Sequence, residues 1–152
     1  MALGVDRVTA ARNYCKHVGK RCIKVIQGGK GHSANNVVED WFSRAIVASK
    51  DDAQLYVDHN IFVPGDTTNE VGEAQKEDTD TLGRWEGVHN YEYGGNVVFR
   101  EETSIDDSFK SDSRDKYDPT SCDDDDCWED LYDQIVSEAG TSVTWYQRLF
   151  TT

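Results

Sequence analysis

The sequence predicts a single α+β domain, built on a mainly antiparallel sheet with about three helices. Three observations lead there. The length, 152 residues, is about that of one domain. Amphipathic helical stripes and β-branched runs follow one another irregularly, in the order α-β-α-β-β-β-α-β, instead of as regular βαβ units. Gly94-Gly95 lies between two apolar runs, a glycine pair suited to a hairpin turn. No repeat of 20 to 50 residues is read from the chain.

Each element has its own signal. Over residues 5–18, Val8, Ala11, Cys15 and Val18 fall at helical spacing, and Gly19 ends the helix. Residues 21–27 alternate and are β-branched, hence a strand. Gly28, Gly29 and Gly31 break it, and His32 or Ser33 opens a second helix with Val38, Phe42, Ala45 and Ile46 on one face. Residues 55–63 form a strand with Leu55, Val57, His59, Ile61 and Val63 on one side. Residues 64–82 read as a long polar loop, and 85–93 with 96–101 as the hairpin. Residues 102–121, acidic and poor in apolar side chains, read as a mobile insertion. A third helix carries Trp128, Leu131, Ile135 and Val136 and stops at Gly140; residues 142–150 close with a strand.

Charge is the most informative bulk property. The formal net is −13. The first fifty residues carry +6, residues 51–100 carry −8, and residues 101–133 carry −11. Such acidity excludes direct nucleic-acid and anionic-membrane binding on that side and points to a protein partner with a basic surface. The partner-binding candidates are Asp106, Asp107, Asp112, Asp115, Asp118, Asp123, Asp124 and Asp125. Negative charge before a helix also complements its N-terminal dipole, so one of Asp123 to Asp126 is expected to cap the third helix. The basic pole, with Arg7, Arg12, Lys16, Lys20, Arg21, Lys24 and Lys30, could match the acidic tract within the chain or between copies, through residues 7–30 and 101–133.

Four cysteines, Cys15, Cys22, Cys122 and Cys127, are compatible with two disulfides in any of three connectivities. Only the second pair has zinc-like spacing, and no metal or cofactor is expected. The start of the chain has neither a basic n-region nor an apolar h-region, so no uncleaved secretion signal is expected. Few leucines and many Asp, Thr, Tyr and Trp suit an extracellular protein.

Motifs for chemistry are sparse. Gly29, Lys30, Gly31, His32 and Ser33 lie between a strand and an expected helix, an anion-binding arrangement, although neither nucleotide-loop spacing is present. In Asp58-His59 a carboxylate could orient an imidazole, but on a strand adjacent side chains oppose, so His59 reads as a core histidine. No catalytic residue is assigned. The leading expectation is a non-enzymatic, acidic protein-binding domain, secreted and disulfide-stabilised, of the effector or toxin kind. The alternative is an inhibitor that imitates nucleic-acid charge, acting in the cytoplasm of an infected host cell against a nuclease or DNA-binding protein. A third reading is an anion-binding protein or small enzyme using the glycine loop.

Overall fold

The computed structural model describes residues 2–3, 7–49, 52–75, 82–94, 96–139 and 149–151. It overturns the expected antiparallel sheet. The chain is a parallel β-solenoid in which three sheets run side by side along the stack. The central sheet is built from β2 (Arg7–Ala11), β5 (Lys30–Ala34), β8 (Gln54–Asp58) and β11 (Arg84–Val88), all parallel. A second sheet stacks β3 (Tyr14–Lys16), β6 (Val37–Glu39), β9 (Ile61–Val63) and β12 (Tyr91–Glu92). The third joins β1 (Ala2–Leu3), β4 (Ile23–Ile26), β7 (Ile46–Ser49) and β10 (Gly72–Gln75). One strand, β13 (Leu149–Thr151), runs antiparallel, beside β2.

The chain turns the corner between the central and second sheets the same way four times. Arg12, Asn35, His59 and His89 each have a left-handed backbone, with φ between 49° and 57°. Asparagine and histidine tolerate that region better than most side chains. The next residue is always asparagine: Asn13, Asn36, Asn60 and Asn90, at spacings of 23, 24 and 30. Their side chains form a ladder. Asn36 Oδ1 accepts the Asn13 backbone N–H, Asn60 Oδ1 that of Asn36, and Asn90 Oδ1 that of Asn60, each at 2.9 Å. Asparagine is suited to this because its amide both accepts and donates. These polar groups are buried between coils, where a missing partner would be costly.

Inside the solenoid, the register stacks Val8, Gly31, Leu55 and Trp85 in one column and Ala10, Ser33, Val57 and Gly87 in the next. Trp41, Ile46, Phe62 and Trp85 fill the same core. Trp85 rests on Gly72, where a Cβ would lie 2.3 Å from the indole, so no other residue fits there without movement.

Among the described residues two helices, not three, cover the outside. Helix α1 (Asp107–Lys116) buries Phe109 and, with Ile105, packs on Tyr56 of the central sheet. Helix α2 (Asp125–Ala139) lays Trp128, Leu131 and Ile135 on Val37 and Ile61 of the second sheet. Asp124 Oδ1 accepts the Cys127 N–H at 2.8 Å, the expected capping aspartate. Neither helix is long and apolar enough to cross a membrane.

Several sequence expectations change accordingly. Residues 5–18 are β2 and β3, because the chain bends at Arg12 and the four apolar residues do not share a helix face. The second expected helix is β5 and β6, followed by β7, which leaves Phe42 66% exposed. Residues 85–93 and 96–101 form no hairpin; β11 and β12 pair with strands of the preceding coil. The 64–82 segment contains β10, and 102–121 contains α1. Gly140 and most of the closing strand lie outside the described residues.

The disulfides are local, Cys15–Cys22 and Cys122–Cys127. Closing loops this short contributes about 2–2.5 kcal/mol each by chain entropy.

Breaking an inner rung of the ladder should cost more than breaking its last. Asn60 Oδ1 accepts from Asn36 N–H and Ser33 Oγ, while its Nδ2 donates to the Ser33 carbonyl. Asn60→Ala is expected to lower stability by about 3–5 kcal/mol in urea unfolding, and rim-lying Asn90→Ala by about 1–2 kcal/mol. Equal losses would show that the ladder is not a cooperative element.

Candidate functional site

The left-handed corner residues also build the most elaborate polar site. On a regular strand Asp58 and His59 would point apart. His59, with φ of 53°, is off the strand geometry, and its ring folds back onto its neighbour. His59 Nδ1 lies 2.6 Å from Asp58 Oδ1. The sequence reading that Asp58 could not orient His59 therefore fails at one backbone dihedral.

Asp58 is fully buried. From α1, Arg114 donates to it twice, Nη2 to Oδ1 at 2.9 Å and Nε to Oδ2 at 3.1 Å. From the neighbouring strand, His32 Nε2 lies 3.3 Å from Oδ2. Burial pushes this carboxyl up, but hydrogen bonds from His32, His59 and Arg114, with the Arg114 charge, outweigh it and hold it well below the usual carboxylate range. An ionised carboxylate only accepts, so His32 donates from Nε2 and His59 from Nδ1. The His32 ring stacks on Tyr56 at 5.0 Å. Burial and the Asp58 charge push the Tyr56 phenol up to about 12 despite the opposing Arg114.

His59 forms a wall of an open cleft of about 320 Å³, lined also by His89, Arg114, Asp118, Pro119, Ser121, Cys122 and Asp123. The two histidine rings are 5.1 Å apart, and His59 stacks on Trp128 at 6.1 Å. With Nδ1 committed to Asp58, His59 presents Nε2 as an acceptor; among the described residues that nitrogen has no hydrogen-bond partner. No cluster of three or more metal-ligating side chains occurs among the described residues.

The structure places the sequence candidates differently. All fourteen carboxylates between residues 101 and 133 are exposed; Glu101 and Glu102 accept from the Ala74 and Gly87 backbone N–H groups, and the other twelve lie on the helical layer. Asp106 pairs with Arg84, Asp107 with Lys110 and Asp112 with Arg7, the last joining the basic pole to the acidic tract within the chain. Asp115, Asp118, Asp123, Asp126, Glu129, Asp130 and Asp133 carry no ion pair among the described residues. Asp124 is a cap, and Asp125 faces the Tyr91 hydroxyl, which burial and that hydrogen bond push upward. The glycine segment is a tight turn after β4 and then β5 itself, so Lys30, Gly31, His32 and Ser33 open no helix. His32 is buried at the Asp58 cluster and Gly29 is also buried. Sequence reasoning passed over Arg114, and placed His89 in a hairpin where it could pair with a loop acid, which the structure replaces by a corner beside His59. The signal that leads to His89 is the recurring pair Arg-Asn, Asn-Asn, His-Asn, His-Asn at residues 12–13, 35–36, 59–60 and 89–90; no comparable pattern marks Arg114.

No protein-family model, no curated protein and no solved structure matches the chain.

Removing the Asp58 charge takes the carboxylate acceptor from the buried His32 and His59 and from a partly exposed Arg114, so Asp58→Asn is expected to cost about 1.5–3 kcal/mol near neutral pH. The folded pKa of Asp58 lies below its ordinary 3.8, so its contribution is complete above that value and is lost as pH falls further. Wild-type stability should therefore fall below pH 3.8 more steeply than that of Asp58→Asn. Parallel acid-unfolding curves would refute the assignment.

Proposed function

We propose that the protein is an extracellular binding protein that engages basic protein surfaces through its helical flank. The observation that carries this is the exposure of all fourteen carboxylates of residues 101–133, twelve of which, from Asp106 to Asp133, lie at the start of α1, on α1, on α2 or on their connection. Eleven of the fourteen lack an ion pair among the described residues, so their field reaches solvent instead of being spent within the fold. A concentrated field of one sign accelerates association with a basic partner and is screened over about 8–10 Å at physiological salt. The solenoid supplies a rigid support, since each coil is hydrogen-bonded to the next. The two disulfides are compatible with an oxidising compartment. The effector or toxin role of the sequence reading is one form of this binding.

The test uses carboxylates that face solvent away from the cleft. Asp115, Asp130 and Asp133 replaced together by Asn should leave stability within about 0.5 kcal/mol, as expected for surface positions. The partner is isolated by salt-eluted capture and identified by mass spectrometry. Its association rate should fall about 3–10-fold at 50 mM salt, with the difference vanishing at 0.5 M. An unchanged rate at both salt concentrations would reduce the acidity to a solubility device.

A second reading has its own observation, the Asp58–His59 pair. A carboxylate fixing Nδ1–H leaves Nε2 as a base, the arrangement that general-base chemistry requires. If it acts so, p-nitrophenyl acetate should be hydrolysed at least tenfold faster by the wild type than by His59→Gln. Equal rates would dismiss acid–base chemistry on this ester.

A further inference from the structure

The cleft beside His59 has a chemical character that the acidic flank as a whole does not define. Its charged and polar lining comes from two directions. The solenoid corner contributes His59 and His89, and the chain between the helices contributes Asp118, Ser121 and Asp123. Arg114 also reaches the lining, but its guanidinium is engaged twice by the buried Asp58, so its charge is answered from below. What remains facing the cavity is acceptor-rich. Asp118 and Asp123 carry two carboxylates without ion pairs among the described residues. His59 is 6% exposed and, with Nδ1 held by Asp58, offers the lone pair of Nε2.

We propose that this cleft receives a guanidinium group. A guanidinium is planar, always charged, and carries five N–H donors with no acceptor. Two carboxylates and an imidazole nitrogen around one cavity present the complementary set. The flat group can also lie against one of the two imidazoles, whose rings are 5.1 Å apart and tilted by 47°. An anion is disfavoured by the same lining, because it would face two carboxylates while the one guanidinium of the lining, Arg114, is already engaged by Asp58. A bare metal ion is disfavoured as well, since the described residues gather no three ligating groups around one point.

This inference rests on the flank reading only in that both expect a cationic partner; it names the anchor group and the place where it docks. The guanidinium could belong to an arginine side chain of a protein or to a free small molecule. The experiment separates these sources. Nα-acetyl-arginine amide is titrated into the full-length, disulfide-intact protein while the imidazole resonances of His59 and His89 are followed by NMR. Nα-acetyl-citrulline amide, neutral and nearly isosteric, serves as the control.

The arginine amide is expected to shift both resonances saturably, and the citrulline amide to bind at least tenfold more weakly. Asp118→Asn combined with Asp123→Asn should weaken the arginine amide at least tenfold. The Asp115, Asp130, Asp133 triple variant should leave its affinity unchanged, so failure of the cleft and failure of the flank are read separately. A ten-residue peptide with one central arginine that binds at least tenfold tighter than the amide assigns the site to a protein side chain. Equal affinities assign it to a free guanidinium compound. Equal binding of arginine and citrulline amides, or shifts insensitive to the Asp118 and Asp123 substitutions, would overturn the proposal.

Discussion

Everything in this fold depends on the asparagine that follows each left-handed corner. A parallel stack needs every coil to turn at the same level, or the strands slip out of register. The corner exposes a backbone N–H that no strand can satisfy, and the amide of the next coil's asparagine reaches back to accept it. That one contact fixes the spacing between coils, the level of the bend and the direction of the side chains on either side. Asn13, at the first rung, leaves its own Oδ1 buried without a hydrogen-bond partner.

The same corner makes the polar cluster. Because residue 59 is left-handed, the ring of His59 meets the carboxylate of Asp58, which alternation along a strand forbids. Asp58 then becomes the point at which three parts of the molecule meet: β5 through His32, its own corner through His59, and α1 through Arg114. An ion pair with one member fully buried gives little net stability against an apolar alternative, yet removing that member is costly. Its structural effect is to seat α1 at a single level on the solenoid. The aromatic contact of Arg114 with Tyr56, 5.8 Å from the ring centroid, reinforces the same placement.

How much of this was legible in the sequence depends on where the signal lies. Helix α2 was readable because Trp128, Leu131 and Ile135 obey a helical period and meet a single apolar surface. The strand at β4 was readable from its alternation. The solenoid was not, because its repeat is written in polar residues and corners and not in an apolar rhythm. Val8, Ala11, Cys15 and Val18 match a helix only if the chain runs straight through Arg12, which it does not. In β8 all five residues are buried, since the core covers one face and α1 the other, so alternation carries no information there. The cleft was beyond reach for a related reason: Asp58, His59, His89 and Arg114 belong to β8, two corners and a helix, and only the stacking of coils brings them together.

A stack of parallel strands has no natural end, and its last strand offers an unsatisfied edge to any chain that arrives. At one end of the central sheet, β13 lies against β2 in the opposite direction. Antiparallel hydrogen bonds alternate in close and wide pairs, whereas parallel ones are evenly spaced and slanted. A strand laid on backwards therefore acts as a stopper. It consumes the donors and acceptors of β2 while denying a newcomer the parallel template that every inner strand follows. The polarity of three residues near the C-terminus thus bears on whether neighbouring molecules can fuse along this sheet into a fibre.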